Sequence, residues 1–144
     1  MITNISLTTV FVKDIDASKA FYVDVLGFQE HTDLALGDGY RWCTVQHPNQ
    51  PELQVHLTQP GAPFSPEMVD AMNRSLDEGG MNGLGLAVDD CRKTYEELTA
   101  KGVEFLQEPS ERPYGVEAVC RDNSGNWTVL VEQKAYTGAD FPHG

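Results

Sequence analysis

The chain has 144 residues, with 10 basic and 22 acidic side chains and a formal net charge of −12. That balance argues against nucleic acid as a partner, which needs clustered Lys and Arg, and no apolar run approaches the ~20 residues of a membrane helix. The opening MITNISLTTVFV lacks the basic region and cleavage site of a secretory leader, so a cytoplasmic protein is expected. At 40% hydrophobic and 22% charged residues, the composition is that of one globular domain spanning 1–144.

An apolar strand ends at Val12, and Asp14 or Asp16 stands ready to cap a helix. Ala20, Phe21, Val25 and Leu26 recur at near-helical spacing, and Gly27 supplies the stop. Strands are predicted at 28–33, 40–47 and 52–59, with turn signals at Gly37-Asp38-Gly39 and Pro48-Asn49-Gln50-Pro51. This first module covers about residues 4–59.

Residues 60–82 form a linker. Ser65-Pro66-Glu67 reads as a helix start, Met68, Val69, Met72 and Leu76 as its apolar face, and Gly79-Gly80 as its end. This helix is either a lid or plain packing.

The second module, about 83–133, repeats the first. Residues 85–105 follow the order of 10–30: a strand ending in Val88, an acidic turn at Asp89-Asp90, an amphipathic helix and Gly102-Val103. Its helix face is read as Tyr95, Leu98 and Thr99. Strands are predicted at 103–109, 115–122 and 126–133, with a hairpin turn at Asn123-Ser124-Gly125-Asn126. A tail, 134–144, is expected to be irregular. The architecture is therefore α+β: two tandem βαβββ modules forming a cupped mixed β-sheet.

The three cysteines, Cys43, Cys91 and Cys120, are odd in number and widely spaced, which suits buried thiols in a reducing compartment. Cys91 lies near a helix start, a position that lowers a thiol pKa.

Val12, Asp14, Ser18, Phe21, Tyr22, Leu26, Gly27 and Phe28, followed by Arg112-Pro113-Tyr114-Gly115 and the run Arg121 to Asn126, resemble the vicinal oxygen chelate superfamily. That group includes glyoxalase I, extradiol dioxygenases and bleomycin-binding proteins. The resemblance covers about residues 4–133. It implies a homodimer and a cup between the modules that, in the enzymes, holds a divalent metal on four side chains. Those positions fall on Leu7, His56, Gly83 and Val129. Leucine, glycine and valine cannot ligate through their side chains. His56 is thus the only surviving metal candidate, with Gln54, Glu52 or Glu132 re-entering only if the register slips. No cofactor is expected.

Strand alternation then gives the cup lining. Leu7, Thr9, Phe11, Gln54, His56, Gly83, Trp127 and Val129 share the inward parity, and Trp42 and Thr44 are assigned to it over Cys43 and Val45. Tyr114 stands at the rim. The wall suits a flat or partly apolar small molecule. Metal-free binding of such a ligand, as in drug or metabolite sequestration, is the favoured function. The alternative is a lyase, isomerase or dioxygenase that is metal-dependent or uses His56 as general base; no other catalytic residue stands out.

Overall fold

The computed structural model describes residues 1–142. The elements run β1 (Leu7–Phe11), α1 (Ile15–Ala20), β2 (Gln29–Ala35), β3 (Arg41–His47), β4 (Gln50–Thr58), α2 (Pro66–Glu78), β5 (Asn82–Ala87), α3 (Cys91–Ala100), β6 (Phe105–Arg112), β7 (Gly115–Arg121) and β8 (Trp127–Gln133). A single π-helical turn, Phe21–Val25, continues α1, and a 3-10 turn, Gly138–Asp140, interrupts the tail. The strands pair into two four-stranded sheets, ordered β1-β4-β3-β2 and β5-β8-β7-β6. Each has one parallel pair, β1 with β4 and β5 with β8, and antiparallel pairs elsewhere. This is the α+β, two-module fold expected.

The chain divides into two compact units, and the division does not follow the chain order. Met1–Met81 together with Asn123–Asn126 form the first, and Asn82–Asp122 with Trp127 onward form the second.

In the first unit α1 lies against β3 and β4. The helix starts where Asp14, extended at φ −140, accepts a hydrogen bond from the Ala17 amide at 2.8 Å. Its buried line is Ser18 and Tyr22, four residues apart, whereas Ala20 is exposed. The stripe read from Ala20, Phe21, Val25 and Leu26 is corrected by that shift. The reason is that Ser18, although polar, has partners inside and so can be buried. The sheet turns Val10, Cys43, Val45, Val55 and Leu57 to this core, all at most 4% exposed. At the edge, Asp33 accepts two parallel hydrogen bonds from Arg41, each 2.8 Å, and one from Lys19, which also pairs with Glu30. Arg41 reaches Asp16 as well.

The linker helix begins at Ser65, whose Oγ accepts from the Met68 amide, and ends at Gly79 in the left-handed region, φ 73. Met72 and Leu76 are buried, while Met68, expected on the same face, is half exposed.

In the second unit Asp90 takes the capping role, accepting from the Lys93 amide at 3.0 Å. Cys91 and Leu98 form the buried line of α3, and Thr99 is exposed, a second correction to the predicted faces. β6 runs three residues beyond its predicted end, to Arg112. Pro109 is tolerated because β6 is the edge strand and its register shifts between Gln107 and Ser110. The Pro113-Tyr114 turn then joins the paired residues Arg112 and Gly115. Gly115 has φ +142, and a Cβ there would lie 2.0 Å from the Glu132 carbonyl oxygen. Only glycine allows β7 to pass so close to β8.

Candidate ligand-binding site

The outer face of the first sheet is built around β4, which is flanked by β1 on one side and β3 on the other. Laterally paired residues point to the same face. Gln54 pairs with Leu7, His56 with both Thr9 and Thr44, and Thr58 with Phe11. Trp42 lies on the same face, because it follows the parity of Thr44 and its ring meets the His56 ring. Seven of the eleven candidate site residues, Leu7, Thr9, Phe11, Trp42, Thr44, Gln54 and His56, therefore share one surface of one sheet.

Two contacts organise that surface. The Trp42 and His56 ring centroids lie 4.2 Å apart with planes tilted by 31°. Beside them the fully buried Thr44 hydroxyl donates to Gln54 Oε1 at 2.8 Å. His56 is only 8% exposed, and its Nε2 is buried without a hydrogen-bond partner. An orphaned buried polar atom costs on the order of 1–3 kcal/mol. Burial alone pushes the imidazole pKa below its ordinary value, because the charged form loses most by desolvation. Burial therefore favours the neutral ring of His56, and one of its nitrogens is uncommitted.

The four second-unit candidates are less concentrated. Val129 pairs with Gly85 and Val119, and Trp127, 45% exposed, pairs with Asn82 and Arg121 on the same face. Gly83 falls where the β5–β8 register shifts, between Asn82 and Gly85. The lateral partner of Val129 is accordingly Gly85, as that of His56 is Thr9. Tyr114 occupies the β6–β7 turn. Its hydroxyl donates to Glu117 Oε2 at 2.6 Å, and its ring meets Tyr136 and Phe141 of the tail.

The metal positions implied by resemblance supply one donor. Glu132 points to the opposite face from Val129, where its Oε1 accepts from the Cys91 amide at 3.0 Å. Gln54 is held by Thr44. Among the described residues no group of three or more His, Cys, Asp or Glu side chains is placed to hold a metal ion. The donor set does not fit the metal of the enzymes.

The expectation for Cys91 is overturned. It opens α3 and is fully buried, and its thiol is pushed up first by burial and then by the nearby Glu132 carboxylate. Those two effects outweigh the helix terminus. Cys43 is likewise raised by burial, and Cys120 is pushed up to about 12. All three thiols are shifted away from the thiolate form.

The motif residues carry structure. Ser18 Oγ donates to Asn123 Oδ1 at 3.1 Å, the Lys13 amide donates to Ser124 Oγ at 3.0 Å, and Asn126 Nδ2 donates to the Phe11 carbonyl at 2.8 Å. The β7–β8 turn is thereby built into the first unit.

Two residues that the sequence reading passed over adjoin the site. Phe64 packs edge-on against Phe11, centroids 5.7 Å apart, and Leu34, 52% exposed, pairs with Trp42. An aromatic residue in the Pro/Gly-rich run PGAPFSP was the available signal for Phe64. Leu34 had none, since its strand was predicted to end at 33.

Comparison with known proteins follows the fold. The family model of the Glyoxalase/Bleomycin resistance protein/Dioxygenase superfamily matches residues 4–130. The uncharacterized protein YurT of Bacillus subtilis (strain 168) is 30% identical over 129 residues, 90% of this chain and 98% of that one. Among solved structures, UcmS2 superposes with a TM-score of 0.83 at 39% identity, covering 92% of this chain and all of its own. TnmS3, described as an antibiotic binding protein from Streptomyces sp. CB03234, gives 0.73 at 26% identity, covering 92% and 98%.

Proposed function

The chain belongs to the Glyoxalase/Bleomycin resistance protein/Dioxygenase superfamily, and within it we propose that this member binds a flat, uncharged organic molecule on the outer face of its first sheet, without a metal. The observation that carries the reading is the tilted Trp42–His56 ring pair with the buried, unpartnered His56 Nε2. An aromatic surface gives a planar ligand a large contact area, and a lone polar atom fixes its orientation. The likeness to an antibiotic binding protein supports the same direction.

The ligand's charge is argued from the face itself. The whole chain carries −12, but the paired positions from Gln54 to Thr58, with their neighbours on β1 and β3, hold no carboxylate and no Lys or Arg. Within that stretch a cation would find nothing to neutralise it; the nearest carboxylate of the same parity on β4 is the exposed Glu52. The acidity serves the solubility of the protein.

Two measurements test the proposal. Purified protein is analysed for metals, and its melting temperature is then followed with planar aromatic probes before and after chelation. A ligand at a hundred times its Kd stabilises the fold by about 2.7 kcal/mol. Stabilisation that survives chelation, in protein free of stoichiometric metal, is expected. A tightly held metal whose removal abolishes binding would overturn the reading. The homodimer that the family implies is part of the proposal, and sedimentation equilibrium checks it.

A further inference from the structure

We infer that Thr44 is a positioning residue that makes the site select ligands bearing a hydrogen-bond acceptor, such as an aromatic ketone. The inference rests on the proposed binding function and deepens it. A glutamine amide is symmetric in shape but not in chemistry: one end accepts and the other donates two hydrogens. Which end a ligand meets is decided by what holds the other. Here the Thr44 hydroxyl, fully buried, donates to Gln54 Oε1 at 2.8 Å. Gln54 is itself only partly buried, so its Nε2 hydrogens are the end left for a ligand.

His56 stands two residues along β4 on the same face, with Nε2 unpartnered. A neutral imidazole donates at one nitrogen and accepts at the other, so by changing tautomer His56 serves either kind of ligand group. The Thr44 hydroxyl could also accept from a turned-over Gln54 amide, but its own hydrogen, fully buried, would then lose the acceptor it has here, so the Nε2 hydrogens are the end favoured to face a ligand. Discrimination between an acceptor and a donor on the ligand therefore belongs to the Thr44–Gln54 pair, and adaptability to His56.

The energetic asymmetry sharpens the choice. A ligand that brings an N–H against the Gln54 amide hydrogens leaves two donors facing each other, both removed from water. A ligand that brings a carbonyl makes a bond of ordinary strength. Sites built on buried hydrogen-bonding groups reject mismatched ligands more strongly than apolar sites reject misfits of size.

The test uses three uncharged planar tricyclic probes of nearly equal size: fluorene, with neither group, 9-fluorenone, with an acceptor, and carbazole, with a donor. Binding to the full chain is followed by tryptophan fluorescence. The wild type is expected to bind 9-fluorenone about 5–10-fold more tightly than fluorene, the equivalent of one net hydrogen bond, and carbazole no more tightly than fluorene. Thr44→Val frees the amide to turn over and reduces the fluorenone preference to within about twofold. Gln54→Glu keeps an oxygen for the Thr44 hydroxyl but presents an acceptor outward, so carbazole becomes preferred over fluorenone.

Tight binding of all three probes with no preference, or a wild-type preference for carbazole, overturns the inference and leaves the binding function standing. A fluorenone preference unchanged in Thr44→Val also overturns it. If none of the three binds, the proposed function fails and the inference with it. Circular dichroism confirms that each variant is folded before its affinities are compared.

Discussion

The Trp42 indole lies 4.2 Å from the His56 imidazole, tilted by 31°, and comes from a different strand. The contact joins the largest aromatic surface of the first sheet's outer face to its one orphaned polar atom. The first consequences of the structure follow from it.

A planar ligand held as proposed stacks on Trp42, which lies on this face, whereas Trp127 belongs to the second sheet. Addition of a bound probe is expected to quench or shift the emission of Trp42. Trp127→Phe should keep the full titration signal and the affinity. Trp42→Phe should lose most of the signal and weaken binding about 5–20-fold, since stacking on an aromatic platform is worth about 1–2 kcal/mol. Fluorescence titration of the two variants decides the matter. A signal carried by Trp127 alone would place the ligand elsewhere.

Stability should depend on pH through His56. Its folded-state pKa is lowered by burial, whereas in the unfolded chain it is near 6.5. As pH falls through that value the unfolded chain takes up a proton that the folded chain refuses. Stability contributed by neutral His56 is therefore complete above about pH 7 and declines on acidification, by at most ~1.4 kcal/mol per pH unit for one proton. It levels off once the folded imidazole also protonates. Urea midpoints at pH 7.5, 6.5 and 5.5 for wild type and His56→Gln isolate the effect, because every other group is common to both. The wild type should lose more stability than the variant on acidification, and an equal loss would mean that His56 titrates normally.

Asn126 is fully buried and its side chain donates to the Phe11 carbonyl at 2.8 Å. Asn126→Ala leaves that carbonyl without this donor and opens a small void, so a loss of about 2 kcal/mol is expected. The same change should leave probe affinity within twofold in the folded protein. Urea unfolding paired with a probe titration checks both halves. Weakened binding at unchanged stability would mean that the motif serves the ligand.

The thiols should be inert. Cys43, Cys91 and Cys120 are each at most 1% exposed and their thiols are all raised by burial. A chromogenic disulfide reagent at pH 8 should find none in native protein and all three, the full cysteine count, after denaturation. Rapid native labelling of Cys91 would restore the helix-terminus argument that the structure displaces.

Much of this was legible beforehand, and the reason is local. Asp14 and Asp90 each sit just before a helix and accept from the amide three residues on; the capping chemistry needs only neighbouring residues. Of the four positions that the resemblance implies for a metal, Leu7, Gly83 and Val129 carry no side-chain donor in any fold. Where prediction failed, the deciding partner was distant. Ser18 lay outside the predicted apolar face, and it is buried because Asn123, 105 positions away, gives its hydroxyl a partner. Cys91 looked activated until Glu132 and burial were placed beside it.

By itself, then, the sequence determined the helix caps and the alternation of each strand, because each depends on residues within a few positions of one another, and the repeat, because it is the same local pattern met twice. The tertiary structure alone decided that β4 lies between β1 and β3, so that Trp42 meets His56 and Thr44 holds Gln54. Alternation says which side of a strand a residue faces, but not which strand lies next to it or in what register. That choice is made by burial of Val10, Val45, Val55 and Leu57 on the opposite face, where apolar area removed from water outweighs any local preference.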